Sequence, residues 1–357
     1  MLKDFINKQR KLSILLLFIF FCFMFSPNIF GAAVTDLAGR EVMIPEEIEE
    51  IIAVGPGALR LVVYLEADSM VIGIEEFERR DNNRPYNIAK AELRDLAVIG
   101  PQFGGDAELI AAAEPDLIIA SYLSKTEADN LAAKTSIPLV LINDESAGSM
   151  SEKELTEALN FLAPLLNREK RAEEVINKYQ EYKNDLINRA ADFDQSLKEK
   201  KLYIGGIGHR GAQGIRSTET NYLPFQYLDL ENVFQQGDKS NIFISGEELL
   251  LKDPEIIFID QGGMELVKND LNRAEYAYLQ AVTNNNLYGV LPYNHYTTNF
   301  ATVLADAYYI AQVIFGPDFI EEDPAEKADE IYQFFLGEKV YQDMAEIFGG
   351  FKNISFD

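Results

Sequence analysis

The chain holds only two histidines, His209 and His295, and both fall in loops that follow strand-like runs of its second half. Imidazole is the commonest protein ligand for transition metals. Two histidines alone do not make a bare zinc site, which usually takes three or four protein ligands. They suit contact with a metal already held in a chelate. His209 is the better placed, because it sits beside Arg210 in the stretch GGIGHRGAQGIRST. Arg79, Arg80, Arg84, Arg210 and Arg216 stand out in so acidic a chain, and guanidinium groups hold anions through paired N–H donors. Tyr122, Tyr222, Tyr293 and Tyr296 could stack on a planar ligand or bond it through the hydroxyl. The expected ligand-binding set is therefore His209, Arg210, Tyr293, His295, Tyr296, Tyr122, Arg79 and Tyr222, with His209 reaching a metal through its chelate. Solvated loop charge is the safer reading for any single one of these arginines except Arg210, and with seventeen tyrosines core packing is the default for most of them.

Residues 206–211, GIGHRG, match the spacing of the dinucleotide fingerprint G-x-G-x-x-G. That fingerprint works only where a helix begins inside it and aims its N-terminal dipole at a pyrophosphate. The following AQGIRSTETNYLP has no helical apolar period, and Gly214 and Pro224 bracket it. These glycines more plainly let backbone approach a bulky ligand. No nucleophile-elbow serine, zincin motif or phosphate-binding P-loop occurs. The chain is expected not to be an enzyme and to need no cofactor. An enzyme using residues 206–211 for a nucleotide stands as the alternative from another class.

What positions these residues is a repeated unit. Residues 108–121 read ELIAAAEPDLIIAS and residues 247–260 read EELLLKDPEIIFID. Each has a Glu seven residues before a proline (Glu108, Glu247), a short apolar helix-like run, an acid-Pro-acid turn and an apolar strand. Proline lacks the N–H that would continue a helix and restricts its predecessor. A continuous apolar run after it suits a strand buried on both faces of a parallel sheet. One αβ unit used twice implies two Rossmann-like α/β lobes with a ligand cleft between them. The alternation of strand and helix over residues 34–165 forms the N-terminal lobe. Residues 166–200 carry apolar positions at helical spacing, uninterrupted by Gly or Pro, and read as one long inter-lobe helix. Residues 201–357 form the C-terminal lobe. Ligand contacts are expected just after each strand, at residues 55–57, 75–80, 102–105, 121–122 and 143–144, then 205–214, 260–263 and 293–296.

Residues 1–33 have a basic start (Lys3, Lys8, Arg10, Lys11), an apolar run over 12–25, Pro27 and a small-residue site ending at Ala33. The run is shorter than the ~20 residues of a spanning helix, so it reads as a secretory signal; a retained anchor is the alternative. Cys22, the single cysteine, follows two phenylalanines rather than a small residue, so a lipoprotein is not expected. Without residues 1–33 the chain has 28 Lys and Arg against 57 Asp and Glu, a net −29. Such a surface repels nucleic acid and anionic lipid. A cysteine-free exported chain excludes disulfides, thiolate metal sites and thiol catalysis.

The ordered set DLAGREVMIP (36–45), IIAV (51–54), VIGI (71–74), PDLII (115–119), IPLV (137–140), ENV (231–233), ISGEELL (244–250) and DPEIIF (253–258) resembles one family. It is that of the substrate-binding proteins of ABC importers for ferric siderophores, haem and vitamin B12. The resemblance spans nearly all of residues 34–357. It implies an extracytoplasmic, periplasmic-type protein, monomeric, that captures a ferric or other metal chelate and delivers it to a permease dimer in the inner membrane. It also implies that Glu108 and Glu247 dock onto permease arginines, two equivalent acids suiting a two-fold partner. As helix-start acids they would alternatively only serve the N-terminal dipole. A corrinoid or haem carrier is the competing reading within the family.

Overall fold

The apolar runs Ile51–Val54 and Leu117–Ala120 are buried at all four positions, as strands covered on both faces must be. The computed structural model describes residues 31–80, 83–143, 149–235 and 241–355. In it these runs pair in parallel at the centre of a five-stranded sheet. Across that sheet the order is Ala97–Val98, Val71–Ile74, Ile51–Val54, Leu117–Ala120 and Leu139–Leu141, all parallel. The winding reverses between the neighbours Ile51–Val54 and Leu117–Ala120, which is the switch point where ligands bind such sheets. The loops leaving it run so close that a Cβ on Gly55 would lie 2.3 Å from the Ser121 carbonyl oxygen.

The second sheet contains Leu202–Gly205, Ile256–Asp260 and Leu287–Val290 in parallel, with Lys352–Asn353 antiparallel at its edge. Both copies of the repeated unit fold alike. The helices Ala107–Ala113 and Gly246–Lys252 each end on an acid in the left-handed conformation, Glu114 (φ 54°) and Asp253 (φ 43°). Pro115 and Pro254 follow, and each chain then enters a central strand. The expected pair of α/β lobes is what the chain forms.

Between the sheets runs Glu169–Ala191, the long connecting helix. It is shorter than the expected span of residues 166–200, because Asn167 takes the left-handed conformation (φ 55°) and ends the preceding helix Glu152–Leu166. A short 3-10 turn, Gln195–Leu197, follows it. Its buried stripe is Ala172, Val175, Tyr179, Tyr182, Leu186 and Ala190, as the periodicity requires, whereas Ile187 is exposed. Arg171 ties this helix to both sides, its Nε donating to the Tyr64 carbonyl and its Nη2 to the Phe334 carbonyl.

The helices Phe300–Phe315 and Pro324–Leu336 pack back toward the first lobe, where Phe335 meets Tyr64 with ring centroids 5.2 Å apart. One apolar core therefore runs from Ile51 and Tyr64 through Tyr179 and Phe300 to Phe258 and Phe335. A large shared apolar interface restricts relative motion of the lobes. Residues 1–30, which hold most of the expected secretory segment, lie outside the described residues, as does Asp144. Among the described residues no helix is long and apolar enough to cross a membrane.

Candidate functional site

One loop of the second lobe, residues 292–299, reaches across to the first. Tyr296 donates its hydroxyl to Glu75 at 2.6 Å, and the Tyr122 hydroxyl meets Thr297 Oγ1 at 2.8 Å. The Met150 N–H donates to the same Thr297 oxygen, and Thr298 donates its hydroxyl to the Met150 carbonyl. Tyr296 and Thr297 are both left-handed, at φ 57° and 65°. For a β-branched residue such as Thr297 that is a true outlier, and outliers of this kind collect at ligand clamps and switches.

Two buried charges from the first lobe hold this junction. Glu75 follows the strand Val71–Ile74 and is almost fully buried. Its carboxylate accepts from the N–H of Gly55 (3.1 Å), the N–H of Gly104 (3.0 Å) and Tyr296. It thereby gathers three strand-end segments onto one side chain. Burial pushes the Glu75 carboxyl above its ordinary pKa, against those three donors.

Arg60 is the other, on the helix Ala58–Tyr64 that starts beside the switch point. It is 1% exposed, and its Nη1 donates to the Thr297 carbonyl (3.3 Å) and Asn299 Oδ1 (3.1 Å). Its Nε and Nη2 are buried and have no partner among the described residues. Gly57 (φ 80°) makes room for this head group, since a Cβ there would fall 2.4 Å from Arg60 Nη2 and 2.6 Å from Thr297 Cγ2.

Aromatic rings line the same junction. Phe77 packs on Tyr296 at 4.5 Å and on His295 at 6.4 Å, and Phe103 approaches Tyr296 at 6.0 Å. Beneath Phe77 lies a buried polar knot. Glu78 accepts from Arg84 Nη2 at 3.0 Å, from the Tyr86 hydroxyl at 2.9 Å and from Asn87 Nδ2 at 2.9 Å, while Arg84 lies 4.5 Å over the Phe77 ring. Removing one member of such a pair leaves an uncompensated charge. Glu78→Ala is therefore expected to lower unfolding free energy by about 3–5 kcal/mol. Denaturant unfolding measures this, and a loss below about 1 kcal/mol would match an exposed pair instead.

Of the residues expected from the sequence, Tyr122, His295 and Tyr296 come together at the lobe junction. His209 and Arg210 sit on an exposed loop whose Gly208 lies against the Asn294 carbonyl, since a Cβ on Gly208 would be 3.7 Å from it. The His209 ring packs edge-on to Phe243 at 6.0 Å. That loop runs into the strand Ser217–Glu219 and no helix starts within it, so the dinucleotide geometry is absent. Tyr222 and Tyr293 lie inside the second lobe, each 1% exposed, and the Tyr293 hydroxyl donates to Glu219. Their rings serve the core there. Arg79 lines a surface groove with Ala91, Glu92, Arg94 and Asp95. No group of three or more His, Cys, Asp or Glu among the described residues is arranged to hold a metal ion.

Glu75 and Phe77 fall in the strand-end segment 75–80 expected from the sequence, without having been named individually, whereas Arg60 and Thr297 lie outside every expected segment. Arg60 carried a signal, as the one charge in the apolar helix ALRLVVY directly after Gly-Pro-Gly. Thr297 carried none, because its role comes from a backbone conformation. Glu108 and Glu247 are both exposed in the first turns of their equivalent helices.

Two α/β lobes, a connecting helix and a junction built from strand-end loops define a two-lobed binding protein. Residues 51–292 match the periplasmic binding protein family, and the chain belongs to it. It is 20% identical over 323 residues to the molybdate-binding protein MolA of Haemophilus influenzae, spanning 85% of this chain and 90% of that one. The solved structure of that protein bound to molybdate superposes with a TM-score of 0.69 at 18% identity, covering 86% of this chain and 98% of the other. An ABC transporter solute-binding protein from Sulfurospirillum deleyianum gives 0.65 at 20% identity, over 89% and 98% of the two chains. The haem-binding protein HmuT gives 0.54 at 14%, over 87% and 91%. The chain is thus a solute-binding protein of the ABC-importer kind and not an enzyme.

Proposed function

We propose that this protein captures a compact anionic metal species between its lobes and passes it to an ABC permease outside the cytoplasmic membrane. The observation that carries this reading is Arg60, a buried guanidinium at the lobe junction with two unused N–H donors. Buried donors without acceptors are costly, and a bound oxyanion would satisfy both. The contacts already joining the lobes favour a small ligand over a bulky one. The molybdate named in the Haemophilus influenzae relative is of this class. A ferric chelate, which the sequence resemblance implies, is the second reading. It is favoured by the aromatic wall of Phe77, Phe103 and Tyr296, since planar ligands stack on such rings. Glu108 and Glu247 face the permease on either reading.

Calorimetric titration with molybdate, with a ferric catecholate and with haemin tests the proposal. Molybdate is expected to bind, and Arg60→Ala to weaken it at least about tenfold, since charge-assisted bonds contribute ~1.5–3 kcal/mol each. Binding of the catecholate alone would select the second reading. Molybdate binding that Arg60→Ala leaves unchanged would remove Arg60 from the site.

A further inference from the structure

A cavity lies in the C-terminal lobe, away from the lobe junction. It occupies about 480 Å³ between the helix Met264–Leu271, the helix Tyr341–Phe348 and the edge strand Lys352–Asn353. Cavities of ~300–1,000 Å³ are the size that holds small ligands.

Its lining has three chemically distinct parts. Gln261 is 4% exposed, and its Nε2 donates to the Gly350 carbonyl at 3.0 Å. That bond fixes which end of the amide is the acceptor, and the buried Oε1 has no donor among the described residues. Lys352 supplies a cation beside it. A Cβ on Gly349 (φ 121°) would lie 2.9 Å from Gln261 Nε2 and 3.2 Å from Lys352 Nζ, so the bare glycine lets amide and ammonium converge. Lys352 forms no ion pair among the described residues, although acids far outnumber bases in this chain, whereas Lys268 across the cavity is paired with Glu265 at 3.5 Å. The third part is apolar. Leu266 and Ile347 are each 45% exposed at the rim, next to Phe348.

An acceptor lacking a donor, a cation outside any ion pair among the described residues and a half-exposed apolar wall are complementary to a small zwitterion with an apolar side chain. We propose that this cavity binds a small apolar α-amino acid. Its carboxylate meets Lys352 Nζ, its ammonium donates to Gln261 Oε1, and its side chain covers Ile347 and Phe348. The site is independent of whatever occupies the lobe junction, and nothing in it requires the lobes to move.

Saturation-transfer NMR of the full chain with L-leucine as probe tests this, with affinity from calorimetry. L-Leucine is expected to bind, and molybdate not to displace it. Lys352→Met, at an exposed edge-strand position, is expected to weaken binding about tenfold or more. Ile347→Glu should do the same by removing the apolar wall. 4-Methylpentanoate, which lacks the ammonium, should bind about tenfold more weakly than leucine, because Gln261 Oε1 then stays unpaired. Absence of leucine binding to the unaltered chain would overturn the proposal. So would leucine binding that both substitutions leave intact, or that Arg60→Ala abolishes.

Discussion

A chain carrying Glu108→Arg together with Glu247→Arg is expected to bind its ligand normally and to deliver none of it. The two acids occupy equivalent first-turn positions of the helices Ala107–Ala113 and Gly246–Lys252, both exposed. Neither helix contributes a residue to the junction formed by Glu75, Arg60, Tyr122 and residues 292–299, so ligand affinity has no reason to change. A permease that reads two symmetric acids with basic groups would instead face like charge at both points. Like-charge juxtaposition across an interface costs several kcal/mol and slows encounter. Transport into vesicles carrying the cognate permease, measured beside a binding titration, separates the two effects. Single reversals should give intermediate uptake with a steeper salt dependence. Normal uptake by the double variant would leave the two acids as helix-start residues only.

The second large effect is a pH response opposite in sign to ordinary acid denaturation. Three carboxyls of the C-terminal lobe, Glu219, Asp260 and Asp306, are buried together. Burial pushes Glu219 up to about 7 and Asp260 up to about 8, and holds Asp306 well above the usual carboxylate range. Mutual repulsion adds to the shift, Asp260 feeling Glu219 and Asp306 feeling Asp260. The groups facing them are tyrosines, Tyr222 and Tyr293 together with Tyr309, Tyr332 and Tyr341 around Asp306, and no basic side chain among the described residues enters the balance. Between their ordinary values and these raised ones, the folded chain holds protons that the unfolded chain has lost. Their contribution to stability is therefore full below about pH 4 and is lost as pH rises through about 7 to 8.

Asp260→Asn removes one such proton while keeping an acceptor for the Gly262 N–H, which bonds Asp260 Oδ1 at 2.9 Å. It is expected to gain about 3 kcal/mol relative to the unaltered chain on going from about pH 5.5 to about 8.5, at ~1.4 kcal/mol per unit of pKa displacement. Paired thermal melts at the two pH values measure it. A difference independent of pH would mean that Asp260 titrates normally.

The architecture was legible because it rests on local chemistry. Acid-Pro-acid turns after short apolar helices are visible in sequence, and both do initiate buried parallel strands. The periodic stripe of residues 172–190 likewise announced the connecting helix. The junction was legible only in part. Tyr122, His295 and Tyr296 could be expected at the junction because they follow strand ends, where the loops of the two parallel sheets meet. Arg60 could not be ranked, because its importance depends on a loop some 240 residues later in the chain folding over it. Tyr222 and Tyr293 follow strand-like segments as well, but their side chains turn inward to a carboxyl that sequence does not place beside them. Alternation tells which face a strand residue takes; an irregular loop offers no such period.

The crossing loop has a thermodynamic side. Tyr296 and Thr297 are held in a conformation that costs of the order of 1–3 kcal/mol per residue, offset in part by bonds that exist only while the lobes touch. The touching state is then less favourable than its bond count suggests, and parting the lobes recovers some of that backbone energy. Opening the junction would also have to breach the apolar core shared by the two lobes, so the strained pair lowers only part of what separation costs.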